Sequence, residues 1–222
     1  MQSAPTFPIS RQPLLITEQH TVTGDQLTPE SLAPAVGDRR IIVAVTAGIA
    51  AYKTAYLVSR LAQAGAQVTV CMTESATRFV TSLTFQALSG NPVYTSAWEH
   101  VESSDPQHIS TATSAHAAIV APCTMDCMAK LTNGITDDIV TLVFSAIDRT
   151  KTPVLLAPAM NDAMWRQPST QRNAAQLATD GFTLVGPGKG WQACRTVGTG
   201  RMAEPAEITV ALVDALHRTR TA

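Results

Sequence analysis

Cys194 lies in the segment of this sequence that is least typical of a simple connection. Residues 186–202 are rich in glycine and also contain Arg195 and Arg201. Connections of this length are typically lids or disordered segments. The thiolate is the reactive form of cysteine, and nearby cations stabilise it. We therefore predict a lid or a disordered segment here, in which the two arginines favour the Cys194 thiolate if they fold close to it.

Two further side chains, His108 and Asn161, have types that suit catalysis or substrate binding. An imidazole that titrates near neutral pH can act as an acid or a base, although a surface or capping role remains the alternative for His108. Asn161 stands at a potential helix start, and the apolar Met164 and Trp165 follow it within a turn. The pattern predicts either a pocket with one orienting amide or an N-cap above core side chains. His116, just before a predicted strand, is interpreted as structural.

Glycine and hydroxyl side chains follow three of the predicted strands. Gly48 lies in a small turn between a strand and a helix, where free backbone N–H groups suit a phosphate. Thr73, Ser75 and Thr124 add hydroxyl groups at the same edge of the sheet. The nucleotide fingerprints G-x-G-x-x-G and G-x-x-x-x-G-K-[ST] are absent, so an ordinary tight turn and helix N-caps remain the alternative. Taken together, the hydroxyl groups favour a phosphorylated cofactor.

The elements that must position these residues are alternating strands and helices. Short apolar runs predict buried strands at residues 41–45, 67–72, 117–121, 154–157 and 182–185. Helical spacing of apolar residues predicts helices near 51–65, 81–88, 125–132, 137–147, 169–179 and 205–218. Strands that are apolar on both faces and alternate with helices indicate a doubly wound α/β three-layer sandwich with a mostly parallel sheet. Ligands of such folds bind at the carboxyl ends of the strands.

Composition restricts the class of partner. The chain has 222 residues, of which 16 are basic and 17 acidic, and only 15% are charged. Without a basic cluster, binding to nucleic acid or to an anionic membrane surface is not expected, which leaves a small-molecule substrate. No apolar run is long enough to span a membrane and no signal sequence is evident, so we predict a soluble, cytoplasmic protein. The histidines and cysteines match no common zinc-ligand spacing, and no metal site is predicted.

The N-terminal segment differs from the rest of the chain in composition and in hydrophobic periodicity. Residues 1–37 contain five prolines and show no sustained period of 2 or 3.6. We interpret residues 1–37 as a flexible N-terminal extension and residues 38–222 as one α/β domain. Four cysteines in a chain of this length are too sparse for a disulfide framework, so reduced thiols are expected.

Five motifs occur in the order in which one known family has them. They are TAGIAAYK at 46–53, TFQALSG at 84–90, the pair His108-Ile109, PAMNDAMW at 158–165, and AC followed by GTGRM within 193–202. The chain therefore resembles the flavin-dependent cysteine decarboxylases over about residues 40–208, and most closely those that act on phosphopantothenoylcysteine in coenzyme A biosynthesis. The resemblance implies a Rossmann-like flavoprotein decarboxylase domain with FMN as its cofactor.

The resemblance also implies a function for each candidate residue. His108 is expected to be the catalytic base or orienting group, and Cys194 the proton donor of the last step. Asn161 is expected to bind the substrate carboxylate, with Met164 and Ala193 completing the substrate site. The residues expected to bind FMN are Gly48, Ile49, Thr73, Ser75, Thr124, Met125, Asp126, Cys127 and Ala159.

The family's assembly and its variants set the remaining expectations. Members are homotrimers, or dodecamers of trimers, with flavin and substrate between protomers. Two alternatives remain: an oxidative decarboxylase of C-terminal cysteine in a precursor peptide, which lacks the proton-donating cysteine loop, and a non-catalytic FMN-binding regulatory subunit. The family commonly has glycine where this chain has Arg195. Many bacterial members continue into a synthetase domain, so the end at Ala222 predicts that this activity is absent or encoded separately.

Overall fold

A parallel sheet of six strands forms the centre of the molecule in a computed structural model that describes residues 27–98 and 107–221. The strands are β1 (Arg40–Val45), β2 (Gln67–Met72), β3 (Val93–Tyr94), β4 (Ala117–Cys123), β5 (Val154–Pro158) and β6 (Phe182–Leu184). Their order is β3-β2-β1-β4-β5-β6, and every neighbouring pair is parallel. The predicted doubly wound α/β fold is therefore confirmed.

Helices cover both faces of this sheet. In chain order they are α1 (Pro29–Val36), α2 (Ala51–Gln63), α3 (Ser82–Ser89), α4 (Gln107–Ser114), α5 (Met125–Asn133), α6 (Ile139–Ser145), α7 (Asp162–Trp165), α8 (Pro168–Thr179) and α9 (Pro205–Thr221). Helices α1, α2, α3 and α9 pack on one face, and α4, α5, α6 and α8 on the other. None of the helices in the described part of the chain is both long and apolar enough to cross a membrane.

Strand β1 shows why the strands read as continuous apolar runs. Its residues from Ile41 to Val45 are all buried. Ile41 and Val43 belong to the core on one face of the sheet, whereas Ile42 and Ala44 belong to the core on the other. A strand covered on both faces has no side left for polar residues. The strand order reverses between β1 and β4, which opens a crevice at the carboxyl edge of the sheet.

Helix α1 lies inside the segment that the sequence assigns to an extension. Leu32 and Val36 of this helix are buried against the core, and Thr28 caps its first turn by accepting from the Ser31 N–H. The expectation of irregular chain up to residue 37 is therefore wrong for residues 29–36. Pro34 inside an eight-residue helix obscured its apolar spacing. The rest of the predicted extension, residues 1–26, lies outside the described residues.

The glycine-rich segment forms regular structure in place of the predicted lid or disordered loop. Residues Gly188–Trp191 (β7) and Val197–Arg201 (β8) pair as an antiparallel hairpin. Alternate residues of these strands are glycines, so apolar alternation, the usual signal of a strand, is missing from the sequence. The short β3 and α4 were also not predicted, whereas α7 begins at the potential helix start that the sequence indicated at Asn161.

Candidate active site

A cavity of about 920 Å³ opens at the carboxyl edge of the sheet, beside the crevice between β1 and β4. This volume lies near the upper end of the range of about 300–1,000 Å³ that is usual for cofactor and substrate sites. One side is formed by the turns after β1, β2 and β4, which we call the strand-end wall. The other is formed by the segment after β5 and the β7–β8 hairpin, which we call the hairpin wall. Every predicted site residue except His108 lines this cavity: Gly48, Ile49, Thr73, Ser75, Thr124, Met125, Asp126, Cys127, Ala159, Asn161, Met164, Ala193 and Cys194.

The start of α2 offers hydrogen-bond donors in the strand-end wall. No side chain caps this helix. The Ala51 and Lys53 N–H groups donate to the carbonyls of Gly48 (3.0 Å) and Ala50 (2.9 Å), so the N–H groups of the preceding turn, at the positive end of the helix dipole, remain for a ligand. A Cβ placed on Gly48 would only touch Pro122 and Thr124 at 3.8 Å. The protein itself therefore has room for a side chain at Gly48. A phosphate seated on these N–H groups would need that room, which fits the predicted binding of a phosphorylated cofactor.

Three threonines hold the strand-end wall together. Thr73 and Thr124 are helix N-caps, whose Oγ1 atoms accept from the N–H groups of Ala76 (3.3 Å) and Cys127 (3.4 Å). The buried Thr46 donates from Oγ1 to the carbonyl of Pro122 at 2.7 Å and accepts from the Thr124 N–H at 3.2 Å. The capping alternative is thus correct for Thr73 and Thr124, and capping fixes both hydroxyl groups at the cavity.

Asn161 is likewise both a helix cap and a cavity residue. Its Oδ1 accepts from the Met164 N–H at 2.8 Å and so caps α7. Because the cap consumes the carbonyl end of the amide, the NH₂ end is left to donate to a ligand. An amide oriented in this way suits a negatively charged acceptor such as a carboxylate. The two interpretations of Asn161 drawn from the sequence therefore describe one arrangement.

Cys194 lies in the five-residue loop that joins β7 to β8. Its side chain is exposed and its Sγ lies 3.0 Å from the Thr196 hydroxyl and 3.7 Å from Oε1 of Gln192. Arg195, the next residue, has φ = 62°, in the left-handed region that favours glycine. An arginine at the position where glycine is expected thus takes a backbone conformation that glycine adopts without strain. The thiol projects from a structured hairpin that lines the cavity.

Cys127 contributes a different kind of thiol. A hydrogen bond with Cys123, together with burial, raises the pKa of the Cys127 thiol well above its usual value. It therefore stays protonated and serves as an apolar part of the cavity wall. All four cysteines are free, and among them only Cys194 is exposed.

Charged side chains complete the lining of the cavity. Lys130 pairs with Asp126 (3.5 Å), Asp137 (2.9 Å) and Asp138 (3.2 Å). Burial opposes the charge on Lys130, but the hydrogen bonds that it donates to Asp137 and Asp138 and the attraction of the carboxylates outweigh this effect and raise the pKa of the ammonium group. Lys130 is thus a fixed cation that ties the start of α5 to the start of α6.

Lys53 and Arg201 share one carboxylate at the rim. Lys53 Nζ lies 2.8 Å from Oε1 of Glu204, and Arg201 pairs with the same oxygen. Both cations also line the cavity, where they can contact an anionic ligand. Neither Lys53 nor Lys130 was a candidate from the sequence, although Lys53 belongs to the motif TAGIAAYK.

His108 does not line the cavity. It lies in the first turn of α4, which packs on α6 and is joined to β4 by residues 115–116. The structure of this chain therefore leaves His108 outside the cavity.

The Flavoprotein family profile matches residues 31–217, most of the chain. The chain belongs to the Flavoprotein family. The match includes both walls of the cavity and, unlike the domain boundary drawn from sequence, most of α1. The resemblance deduced from the five motifs is confirmed.

Individual relatives agree with this assignment. The chain is 45% identical over 173 residues to the coenzyme A biosynthesis bifunctional protein CoaBC of Bacillus subtilis (strain 168), which covers 78% of this flavoprotein and 42% of CoaBC. This chain therefore spans less than half the length of CoaBC. A solved PPC decarboxylase mutant complexed with pantothenoylaminoethenethiol is 30% identical with a TM-score of 0.71, covering 79% of this chain and 96% of that one. The FMN binding protein AtHal3 is 32% identical with a TM-score of 0.67, covering 79% and 96%.

Proposed function

We propose that this flavoprotein uses FMN to decarboxylate 4′-phosphopantothenoylcysteine to 4′-phosphopantetheine in coenzyme A biosynthesis. The observation that carries the proposal is the hairpin wall, which places the Cys194 thiol and the Asn161 amide in the same cavity as the uncapped start of α2. One protein surface thus offers a proton donor, a carboxylate-binding group and a phosphate site. The similarity to CoaBC and to PPC decarboxylase supports the choice of substrate.

The cofactor site follows from the strand-end wall. The start of α2 at Gly48 and Ile49 would hold the phosphate of FMN, and Thr73, Ser75 and Thr124 would offer their hydroxyl groups to the cofactor. Met125, Asp126, Cys127 and Ala159 line the remaining part of the flavin site. The chemistry that FMN supplies when bound is reversible two-electron oxidation of the substrate's cysteine side chain, which creates the electron sink that loss of CO₂ requires.

The chain's own residues bind the substrate and move protons. The NH₂ group of Asn161 donates to the substrate carboxylate and fixes the carbon–carbon bond that breaks. Met164 and Ala193 line this site with apolar groups. Cys194 delivers a proton to the product after CO₂ has left, and its thiolate is reprotonated from solvent because the side chain is exposed. His108 acts as the base at the start of the reaction.

The proposed assembly is a homotrimer, or a dodecamer of trimers, in which a neighbour completes the cavity. Ile49 and Tyr52 line the cavity yet are 61% and 60% exposed, and Tyr56 beside them is 54% exposed. Large apolar and aromatic side chains at a cavity mouth are typical of an interface core. A neighbour that covers them also brings its His108 to the site. We further propose a cytoplasmic location, where free cysteines stay reduced.

A product assay tests the reaction. The purified, FMN-loaded protein is incubated with phosphopantothenoylcysteine and, separately, with a peptide that ends in cysteine, and the products are weighed by mass spectrometry. We expect loss of CO₂ alone from phosphopantothenoylcysteine and no reaction of the peptide. Loss of CO₂ together with two hydrogens from the peptide would establish the oxidative alternative. FMN binding without any product would establish a non-catalytic subunit.

Subunit complementation tests the shared site. His108→Asn and Cys194→Ser protomers are each inactive in full turnover, and the two are then mixed and reassembled. If His108 and Cys194 of one site come from different protomers, some mixed sites carry both native residues and activity returns. Activity that stays absent in mixed assemblies, verified by native mass spectrometry, would place both residues in one protomer.

A further inference from the structure

Gln192 is the only buried side chain in the loop and strand ends around Cys194. It is 7% exposed, whereas every other residue from Trp191 to Val197 is exposed. A glutamine is seldom buried unless its amide is fully hydrogen-bonded, because an unpaired amide in the interior is costly. Its burial in an otherwise exposed hairpin indicates that the amide has a specific structural task.

The Gln192 amide joins the hairpin to the segment that carries Asn161. Its Oε1 accepts from the Asp162 N–H at 3.1 Å. Its Nε2 donates to the carbonyls of Thr199 at 3.2 Å and Met160 at 3.4 Å. The two residues on either side of Asn161 are therefore both bound by one side chain, at its carbonyl end and its NH₂ end.

The same residue also holds the Cys194 loop. The Gln192 N–H donates to the Thr196 carbonyl at 2.8 Å, and the Gln192 carbonyl accepts from the Arg195 N–H at 2.9 Å. The Cys194 thiol lies 3.7 Å from Oε1 of Gln192, as a donor to it. Gln192 thus contacts both the proton donor and the backbone around the amide that binds the carboxylate.

Within the described residues, the other hydrogen bonds between the hairpin and this segment come from β8. The Met160 N–H donates to the Gly200 carbonyl at 2.9 Å, and the Thr199 N–H donates to Oδ1 of Asp162 at 3.0 Å. Gly200 has φ = 135°, and a Cβ there would lie 2.3 Å from the Met160 carbonyl oxygen. These contacts fix β8 against the segment. Besides their pairing with β8, the end of β7 and the loop that holds Cys194 are hydrogen-bonded to this segment through the Gln192 amide.

We propose that Gln192 is a positioning residue that fixes the spacing between Cys194 and Asn161. The inference rests on the proposed decarboxylase function and adds a residue to it. Removing the amide leaves the Asp162 N–H and the Met160 and Thr199 carbonyls without their partner. The loop then moves away from the substrate carboxylate, so that the proton is delivered from the wrong place. Loss of CO₂ precedes that proton transfer and depends less on the loop.

The first experiment separates the two halves of the reaction in the FMN-loaded enzyme. Gln192→Leu keeps the volume without the amide, and Gln192→Glu keeps the acceptor but loses both donors. Lys189→Gln, at an exposed β7 residue outside the cavity, is the control. In single turnovers we expect bleaching of the FMN absorbance to stay near the wild-type rate. The return of absorbance and formation of phosphopantetheine should slow by about 10- to 100-fold in Gln192→Leu.

The outcome distinguishes positioning from general damage. A loss of stability would lower the FMN content and the rates of both half-reactions together, and that result would overturn the proposal. An unchanged rate of the second half-reaction would overturn it as well. Gln192→Glu should slow the second half-reaction less than Gln192→Leu, because it still accepts from the Asp162 N–H. If the wild-type protein releases no CO₂ from phosphopantothenoylcysteine, the proposed function has failed and a second measurement decides about Gln192.

That second measurement does not depend on the reaction. Hydrogen–deuterium exchange is followed in peptides that cover residues 188–201 and 159–166, with peptides from β1 and β4 as internal references. Gln192→Leu should speed exchange in the first two regions and leave the references unchanged. Equal exchange in Gln192→Leu and wild type would show that the amide does not hold the hairpin, and the proposal would fall.

Discussion

The two walls of the cavity are held in place by different means. The strand-end wall sits directly on β1, β2 and β4, whose cavity-side ends are buried, and Thr46 fastens β1 to β4 with a buried hydrogen bond of 2.7 Å to Pro122. The hairpin wall is largely exposed at the Cys194 loop and is attached by β8 and by the Gln192 amide. The fold itself thus builds the proposed cofactor side, whereas a few side chains build the side that handles substrate.

This difference predicts that substitutions can remove FMN binding and the reaction separately. Changes in the Cys194 loop of the hairpin wall should impair chemistry and leave FMN bound, because none of the hydrogen bonds of residues 191–197 in the described part of the chain reaches the turns after β1, β2 and β4. Changes in the strand-end wall should release FMN and thereby remove all chemistry. A protein of this family could therefore lose turnover and remain a flavin-binding protein through one or two substitutions in the hairpin.

The largest loss of turnover without loss of FMN binding is expected from Cys194→Ser. A hydroxyl is a far weaker acid than a thiol, so the last proton transfer should slow by at least about 100-fold. FMN content, measured by absorbance of the purified protein, should equal that of wild type. The enzyme should still release one CO₂ per FMN with phosphopantothenoylcysteine.

The neighbouring Arg195→Lys is the control for this variant, because it keeps the thiol and a cation in the same turn and should turn over normally. Full turnover by Cys194→Ser would remove the thiol from the mechanism. Loss of FMN from Cys194→Ser would contradict the independence of the two walls.

Gly48→Ala in the strand-end wall is expected to weaken FMN binding without changing the stability of the FMN-free protein. The protein has space for the methyl group, so the melting temperature of the FMN-free protein should not change. The methyl group occupies the space proposed for the cofactor's phosphate group, and we expect the dissociation constant for FMN to rise by about 10-fold or more. Fluorescence titration with FMN measures this change.

Gly188→Ala is the matched control. A Cβ at Gly188 would likewise meet only an ordinary contact, 3.8 Å from the Arg201 carbonyl oxygen, but it lies outside the cavity. FMN should bind this variant as it binds wild type. Equal affinities in Gly48→Ala and Gly188→Ala would show that the phosphate lies elsewhere.

A smaller effect should distinguish the walls by pH. His116 Nδ1 accepts from the Arg40 N–H at 2.9 Å, and the His116 N–H donates to the Arg40 carbonyl at 2.8 Å, which joins β1 to the start of β4. Burial, and then the charges of Arg40 and Arg39, lower the pKa of His116. The unfolded chain therefore binds a proton at higher pH than the folded protein, and stability falls as pH drops below about 6.5.

His116→Asn tests this, since an amide oxygen keeps an acceptor near the Arg40 N–H and cannot titrate. Its thermal midpoint should fall less than that of wild type between pH 7 and the lowered pKa. Exchange of the hairpin peptides should show the same pH dependence in both proteins. If exchange in the hairpin peptides speeds up as His116 becomes protonated, the stability of the hairpin depends on that of the sheet. That result would contradict the independence of the two walls.

The sequence predicted the strand-end wall more completely than the hairpin wall, for a physical reason. Apolar runs such as Ile41–Val45 identify buried strands, and the residues after them must meet at one edge of a parallel sheet. The hairpin carries no such pattern, because alternate residues of its strands are glycines, of which Gly198 lies against the Asp162 side chain and Gly200 against the Met160 carbonyl. Cys194 and Asn161 were found by residue type and family motif. Gln192 was missed because its importance lies entirely in tertiary hydrogen bonds.

The smallest expected effect concerns the two non-glycine residues with left-handed φ among residues 27–98 and 107–221, Asp38 (58°) and Arg195 (62°). A non-glycine residue in the left-handed region carries strain of about 1 kcal/mol, which a glycine would relieve. About half of this gain is lost because glycine has more chain entropy in the unfolded state, so Asp38→Gly should stabilise the protein by about 0.5 kcal/mol. Asp38 leads directly into β1, and its gain should appear fully in urea unfolding. Arg195→Gly should gain less, because a hairpin held by few contacts opens before the sheet unfolds. A larger gain for Arg195→Gly than for Asp38→Gly would show that the hairpin unfolds together with the sheet and is as firmly held as the strand-end wall.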